Sequence, residues 1–158
     1  MSDFNKVRYI EFPKICDPRG NLSFIEGGCH VPFAIKRVFY VYDVPGGATR
    51  GAHAHKTCTE VLIPVAGSFS IHLSDGKEER VFHMHRSNQG LLVPPGFWLS
   101  THDYTTGTVC LVLCSDYYEE SDYIREFEEF CEYIAKNDSV PRLSRHECNP
   151  DGPAGEDS

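Results

Sequence analysis

The chain has 158 residues, seven cysteines and a formal net charge of −8. That length supports one domain with a single sizeable core, the charge argues against nucleic acid as the main partner, and no apolar run approaches the ~20 residues that span a bilayer. The start, MSDFNKVRYIEF, is mixed and polar and the cysteines form no CxxC pair, so reduced thiols and a cytoplasmic location are expected rather than a disulfide framework.

In chain order, Val7 to Phe12 alternates loosely and reads as a strand. Asp17-Pro18-Arg19-Gly20-Asn21 reads as a turn, and Leu22 to Glu26 as a second strand. Pro32 to Val44 is rich in aromatic and β-branched residues and predicts a long strand. Alternation puts Lys36, Val38, Tyr40 and Tyr42 on one of its faces and Arg37, Phe39 and Val41 on the other.

The stretch from Gly47 to Gly67 carries the chemistry. His53 and His55, two apart on an extended chain, throw both imidazoles onto one face. Glu60 follows after a polar link long enough to turn the chain, and opens the apolar run Val61 to Ala66. Two imidazoles and an acid facing one cavity suit either proton transfer or metal binding. Arg50 and Lys56 flank the pair, which argues against a chance surface His-X-His.

Further on, Ser68 to Leu73 and Glu79 to His85 read as a hairpin about an Asp75-Gly76 turn. Gly90 to Val93, Phe97 to His102 and Thr108 to Cys114 read as three more strands. His83-X-His85 lies in a charged stretch and reads as surface. About ten short strands with regular turns predict an all-β antiparallel sandwich or barrel. The period then changes. Tyr123, Ile124, Phe127, Phe130, Cys131 and Ile134 fall on one helical stripe with Ser121 as N-cap, and the acids of 116–132 read as the solvated face of that helix. The folded domain is expected over 1–135. Residues 136–158 are polar with scarcely an apolar anchor and are expected to form a disordered tail, the residues His146 and Cys148 included.

The spacing Gly47-X5-His53-X-His55-X4-Glu60-X6-Gly67 resembles the first cupin motif at every fixed position. A second cupin motif is met in part by Gly90 and Pro94-Pro95-Gly96, with Leu99 in the place of its histidine. The segments DPRGN, PFAIKRVFYVYDVP, RGAHAHK, GSFSIHLSDGK, PPGFW and SDYYEESDYIREFEEF together are similar to the dTDP-4-keto-6-deoxyglucose 3,4-ketoisomerases, the WxcM-like cupins, from about Val7 to Ile134. The resemblance implies a double-stranded β-helix (jelly-roll) barrel with one C-terminal helix, a homodimer that exchanges N-terminal strands, no metal and no other cofactor. It also implies a dTDP-linked 4-keto-6-deoxy sugar as substrate, in deoxysugar biosynthesis. Two positions depart from the family: Glu60 stands where it usually carries Gln, and Leu99 where it commonly carries a polar residue.

On that resemblance His55 is expected to carry a proton between C3 and C4 of the sugar, His53 to move one between the two oxygens, and Tyr40, with Tyr42 as the alternative, to bond the enediol oxygen. Arg50, then Arg19 and Arg37, are expected on the diphosphate, and Trp98 either on the thymine or packed at the barrel mouth. Two other classes compete: a metal-dependent cupin enzyme using His53, His55 and Glu60, and a non-catalytic sugar-nucleotide-binding cupin.

Overall fold

The computed structural model describes residues 2–139. The tail positions 140–158, including His146 and Cys148, lie outside the described residues. Twelve strands are β1 (Arg8–Glu11), β2 (Lys14–Ile15), β3 (Leu22–Ser23), β4 (Arg37–Val41), β5 (Arg50–His55), β6 (Glu60–Ala66), β7 (Phe69–Ser74), β8 (Glu79–Met84), β9 (Gln89–Val93), β10 (Trp98–His102), β11 (Val109–Cys114) and β12 (Tyr123–Ile124). One helix, α1 (Phe127–Asp138), ends the described chain.

Two five-stranded antiparallel sheets face each other, in the orders β1-β9-β6-β11-β4 and β12-β5-β10-β7-β8, with β2 and β3 as a separate hairpin. From β4 to β12 the chain crosses from sheet to sheet at each step except the β7–β8 hairpin, which is the double-wound jelly-roll arrangement expected from the resemblance. Inward residues of both sheets fill the space between them: Leu62, Leu91 and Val112 from one, Phe69, Ile71, Leu73 and Leu99 from the other. This core stops short of one end, where the polar residues of β5 and β6 replace it.

The expected Pro32–Val44 strand is shorter than its composition predicts. Only Arg37–Val41 pairs with β11. The preceding residues Val31, Phe33 and Ile35 turn away to cover a second apolar layer on the outer face of the first sheet, with Ile10, Val61, Ile63 and Leu113. Burial of those side chains outweighs the local preference for continued pairing.

The C-terminal segment also departs from its helical period. Tyr123 and Ile124 form β12 and pair with His55 and Ala54 of β5. The helix starts at Phe127, with Glu126 rather than Ser121 as its N-cap. An open edge of β5 offers unpaired backbone groups, and satisfying them decides for strand over helix at 123–124. Downstream the periodic reading holds: Phe130 and Ile134 are buried with Ala54 and Ile124 on the outer face of the second sheet. Glycine is required where β6 meets its turn. Gly67 has φ +70°, and a Cβ there would lie 2.8 Å from the Thr108 Cα.

Candidate active site

The site is assembled on β5, and a bulge sets its geometry. Against β10, Leu99 pairs with His53 but Thr101 pairs with Arg50, so β5 carries one extra residue between the two pairs. Gly51, at φ +75°, absorbs it. Strict alternation would send Arg50 to the face opposite His53. The bulge instead brings Arg50, Gly51 and His53 to the wall of one cavity of about 310 Å³, together with Glu60, Tyr123 and Arg125.

His55 is buried and both of its ring nitrogens meet carboxylates. Nδ1–H donates to Asp122 Oδ2 at 2.7 Å, and Nε2–H donates to Glu60 Oε1 at 3.0 Å. Burial, the largest influence, opposes a charge on this ring. The Glu60 hydrogen bond and charge, with the Asp122 hydrogen bond, overcome it and raise the ring to about 9. His55 is therefore an imidazolium at neutral pH.

His53 is the opposite case. Its Nε2 lies 3.2 Å from His55 Nε2. Burial, joined by the neighbouring His55 and Arg125 charges, lowers it to about 4 against the pull of Glu60. A neutral imidazole thus lines the cavity, backed by a charged one. Two adjacent groups whose environments push their pKa values apart form an acid/base pair.

The remaining expected residues divide. Arg50 is on the cavity wall. Tyr40 is not: it is 61% exposed on the outer face of β4, its ring 5.6 Å from that of Tyr42. The residues of that strand facing the barrel are Phe39 and Val41, so both tyrosine candidates for the enediol contact are corrected by the parity of β4. Arg37 shares the inward parity of Phe39 and is held beneath Tyr118 and Tyr123, its guanidinium 5.5 and 6.0 Å from their rings. It does not reach the cavity lining. Arg19 is at the tip between β2 and β3, exposed and paired with its neighbour Asp17 at 2.9 Å, away from the cavity of its own chain. Trp98 lies under α1 against Phe127 and Phe130, outside the barrel, so it packs the helix and does not reach the site. Leu99 is on the cavity wall, opposite His53. His83 and His85 are exposed.

Three further residues of the site come from the stretch whose spacing predicts a helix, Tyr123 from its apolar stripe and Asp122 from its acidic face. Asp122 ends a 3-10 turn, Glu120–Asp122, and reaches His55. Tyr123, on β12, packs its ring 4.5 Å from that of His55 and 5.2 Å from that of His53. Burial raises its phenol, against Arg37, so it remains an O–H donor. Arg125 lies 4.4 Å over the Tyr123 ring and is held by Glu120 through two bonds of 2.7 and 2.9 Å. The available signal was the density of aromatic and charged residues in DYYEESDYIR, which exceeds what an exposed helix face needs.

His53, His55 and Glu60 also place one donor atom each within 4.8 Å of one another. Two imidazoles and a carboxylate, with Asp122 holding the far nitrogen of His55, fit a first-row divalent cation.

The FdtA family, described as WxcM-like, C-terminal, matches residues 5–135. A TDP-4-oxo-6-deoxy-alpha-D-glucose-3,4-oxoisomerase from Aneurinibacillus thermoaerophilus is 45% identical over 132 residues, 84% of this chain and 94% of that protein. The 3,4-ketoisomerase QdtA from Thermoanaerobacterium thermosaccharolyticum, solved as a histidine-to-asparagine mutant with TDP-4-keto-6-deoxyglucose, is 40% identical. It superposes with a TM-score of 0.81 over 83% of this chain and 95% of its own. The WlaRB TDP-quinovose 3,4-ketoisomerase from Campylobacter jejuni is 38% identical, with a TM-score of 0.75 over 80% and 97% of the two chains.

Proposed function

The chain belongs to the WxcM-like FdtA family, and we propose that it is a 3,4-ketoisomerase that converts a TDP-4-keto-6-deoxyhexose to the 3-keto isomer. The observation that carries the mechanism is the pairing of a neutral cavity-lining imidazole with a charged one behind it. The C3 hydrogen is acidic because it lies beside the C4 carbonyl. The His53 imidazole removes it, the C3–H electron pair forms the C3–C4 double bond, and the C4 oxygen takes the charge of an enediolate. The proton held on His53 then returns to C4, while the hydroxyl proton of O3 ends on O4. The family resemblance had suggested His55 as the carbon base. Its two carboxylate hydrogen bonds argue for His53 in that part, with His55 as the charged ring behind it, since a ring protonated at both nitrogens cannot accept a proton.

When His53 becomes charged it stands 3.2 Å from the His55 cation. Glu60 and Asp122 then balance two imidazoliums with two carboxylates, which lowers the cost of that state in a buried site. The Tyr123 hydroxyl takes the part expected of Tyr40, as donor to the enediolate oxygen. The cavity suits the hexose, and Arg50 and Arg125 at its wall suit the diphosphate.

Were a divalent cation bound, His53, His55 and Glu60 would hold it and it would polarise the sugar carbonyl. That donor set is what favours a metal-dependent enzyme as the second reading. We also propose a cytoplasmic homodimer. Arg19 projects on a hairpin with Ile15, Leu22 and Phe24 exposed, an arrangement suited to packing on a second copy. No helix among the described residues is long and apolar enough to cross a membrane, and the free thiols suit a reducing compartment.

Incubation with TDP-4-keto-6-deoxyglucose in deuterated water, followed by NMR, tests the reaction. Deuterium at C3 or C4 with a new 3-keto species is expected. A substrate that binds without exchanging its C3 hydrogen would leave a binding protein instead.

A further inference from the structure

The carboxylate of Asp122 has two separate contacts. Its Oδ1 accepts from the backbone N–H groups of Lys56 and Thr57, at 2.9 and 2.6 Å, and from Thr57 Oγ1 at 3.0 Å. Its Oδ2 accepts from His55 Nδ1 at 2.7 Å. One oxygen is clamped by the turn between β5 and β6, and the clamp aims the other at the ring. A carboxylate serving only as a cap for that turn needs the first set of contacts and not the second. The backbone repeats the tie, since Lys56 N–H also donates to the Asp122 carbonyl at 3.0 Å.

The ionisable groups around His55 come from every neighbouring element. They are His53 on its own strand, Glu60 on β6, Cys58 in the turn, Asp122 on the 3-10 turn, and Tyr123 on β12 with its ring at 4.5 Å. Among the described residues, Asp122 is the partner of Nδ1. Glu60 and His53 both face Nε2.

We propose that Asp122 is the positioning residue of this site. By accepting the Nδ1 hydrogen while the turn clamps its other oxygen, it fixes the plane of the ring and directs Nε2 at Glu60 and His53. This rests on the isomerase reading for its consequence, but not for its structural content. Asp122 does not line the cavity, so it acts on the substrate only through the two histidines.

The substitution Asp122→Asn separates positioning from capping. The amide oxygen can still take the Lys56 and Thr57 hydrogens, so the turn keeps its acceptor. The amide NH₂ then faces Nδ1 and demands a lone pair there, which leaves the ring hydrogen on Nε2. In ¹⁵N NMR of the substrate-free protein at pH 7, the wild type is expected to show a protonated His55 Nδ1 and D122N to show a bare one. The kcat of D122N falls on the order of 100-fold with KM little changed, and Asp122→Glu restores part of both the protonation and the rate. Thr57→Ala loosens the turn while leaving Oδ2 on the ring, and its spectrum matches the wild type. The proposal is overturned by a D122N protein that keeps Nδ1 protonated at wild-type kcat, or by a T57A protein that loses Nδ1–H. Should D122N fail to fold, a bare Nδ1 in the wild type overturns it alone. The spectra need no substrate, so they are read apart from the deuterium exchange that tests the reaction.

Discussion

Removing one negative charge from beside His55 should move both limbs of the pH–rate profile in the same direction. In the wild type, kcat/KM needs His53 neutral and His55 charged, which sets an acid limb near 4 and an alkaline limb near 9. The rise of His55 from 6.5 to about 9 corresponds to about 3 kcal/mol in favour of its charged form. Burial works against that preference, and Glu60 supplies its two leading opposing contributions, a hydrogen bond and a charge. Glu60→Gln keeps an acceptor for Nε2–H and deletes the charge, so the alkaline limb should fall by about two pH units. Glu60 also pulls His53 upward, so in its absence the acid limb drops as well. The variant is then expected to approach wild-type rate at pH 5 and to lose at least about tenfold at pH 8.5. The assay is initial-rate formation of the 3-keto sugar, with the two histidines titrated by NMR in the free protein. An alkaline limb that stays at 9, or limbs that move apart, would refute the assignment of charges.

The same two rings predict how stability varies with pH. A His55 raised above its unfolded value contributes stability that is complete below 6.5 and lost as pH rises through about 9. A His53 depressed to about 4 makes stability climb with pH between 4 and 6.5. Their joint contribution to thermal stability is therefore greatest near 6.5, and a melting temperature still rising toward pH 9 would contradict it. His53→Asn should abolish C3 exchange while preserving the fold, and turnover within tenfold of wild type would put the base elsewhere. Chelation should leave turnover unchanged under the acid–base reading, whereas loss that one divalent ion restores would favour the metal-assisted one. Gly67→Ala, forced to φ +70° against the Thr108 backbone, should lower stability by about 2 kcal/mol in urea unfolding. Sedimentation should give a dimer that Leu22→Asp weakens, and a wild-type monomer would remove the proposed packing.

The parts of this protein that were legible before its structure are those encoded by local alternation. The strands from Arg50 to Cys114 are short alternating or continuously apolar runs bounded by turn residues, and their limits moved by a residue or two. His53 and His55 share a face because any extended chain makes them do so. What alternation cannot carry is which face looks inward. Tyr40 and Phe39 are equally good strand residues. The choice depends on β4 pairing with β11 at the sheet edge, with Val112 of β11 against Phe39, and on the outer apolar layer drawing away the chain before it. Arg50 was placed by adjacency, yet the reason it reaches the cavity is a bulge at Gly51 that becomes visible only in the register of two strands.

Asp122 marks the deeper limit. It stands 67 residues after His55, in a stretch whose acids and apolar spacing satisfy a helix on every local criterion. The chain leaves that preference because β5 has an open edge. Once Tyr123 pairs opposite His55, the residue before it is delivered to the ring's far nitrogen and the residue two beyond it to the cavity wall. A backbone pairing thus delivers one of the two carboxylates that hold the His55 ring. Neither histidine has a fixed role in isolation. In the proposed reading the one between two carboxylates is the cation and the one facing the cavity is the base. Glu60 contributes most to that charge, and the C-terminal strand completes the arrangement by bringing Asp122 to the far nitrogen, so the chemistry proposed for the His-X-His pair depends in part on a segment that contains no histidine.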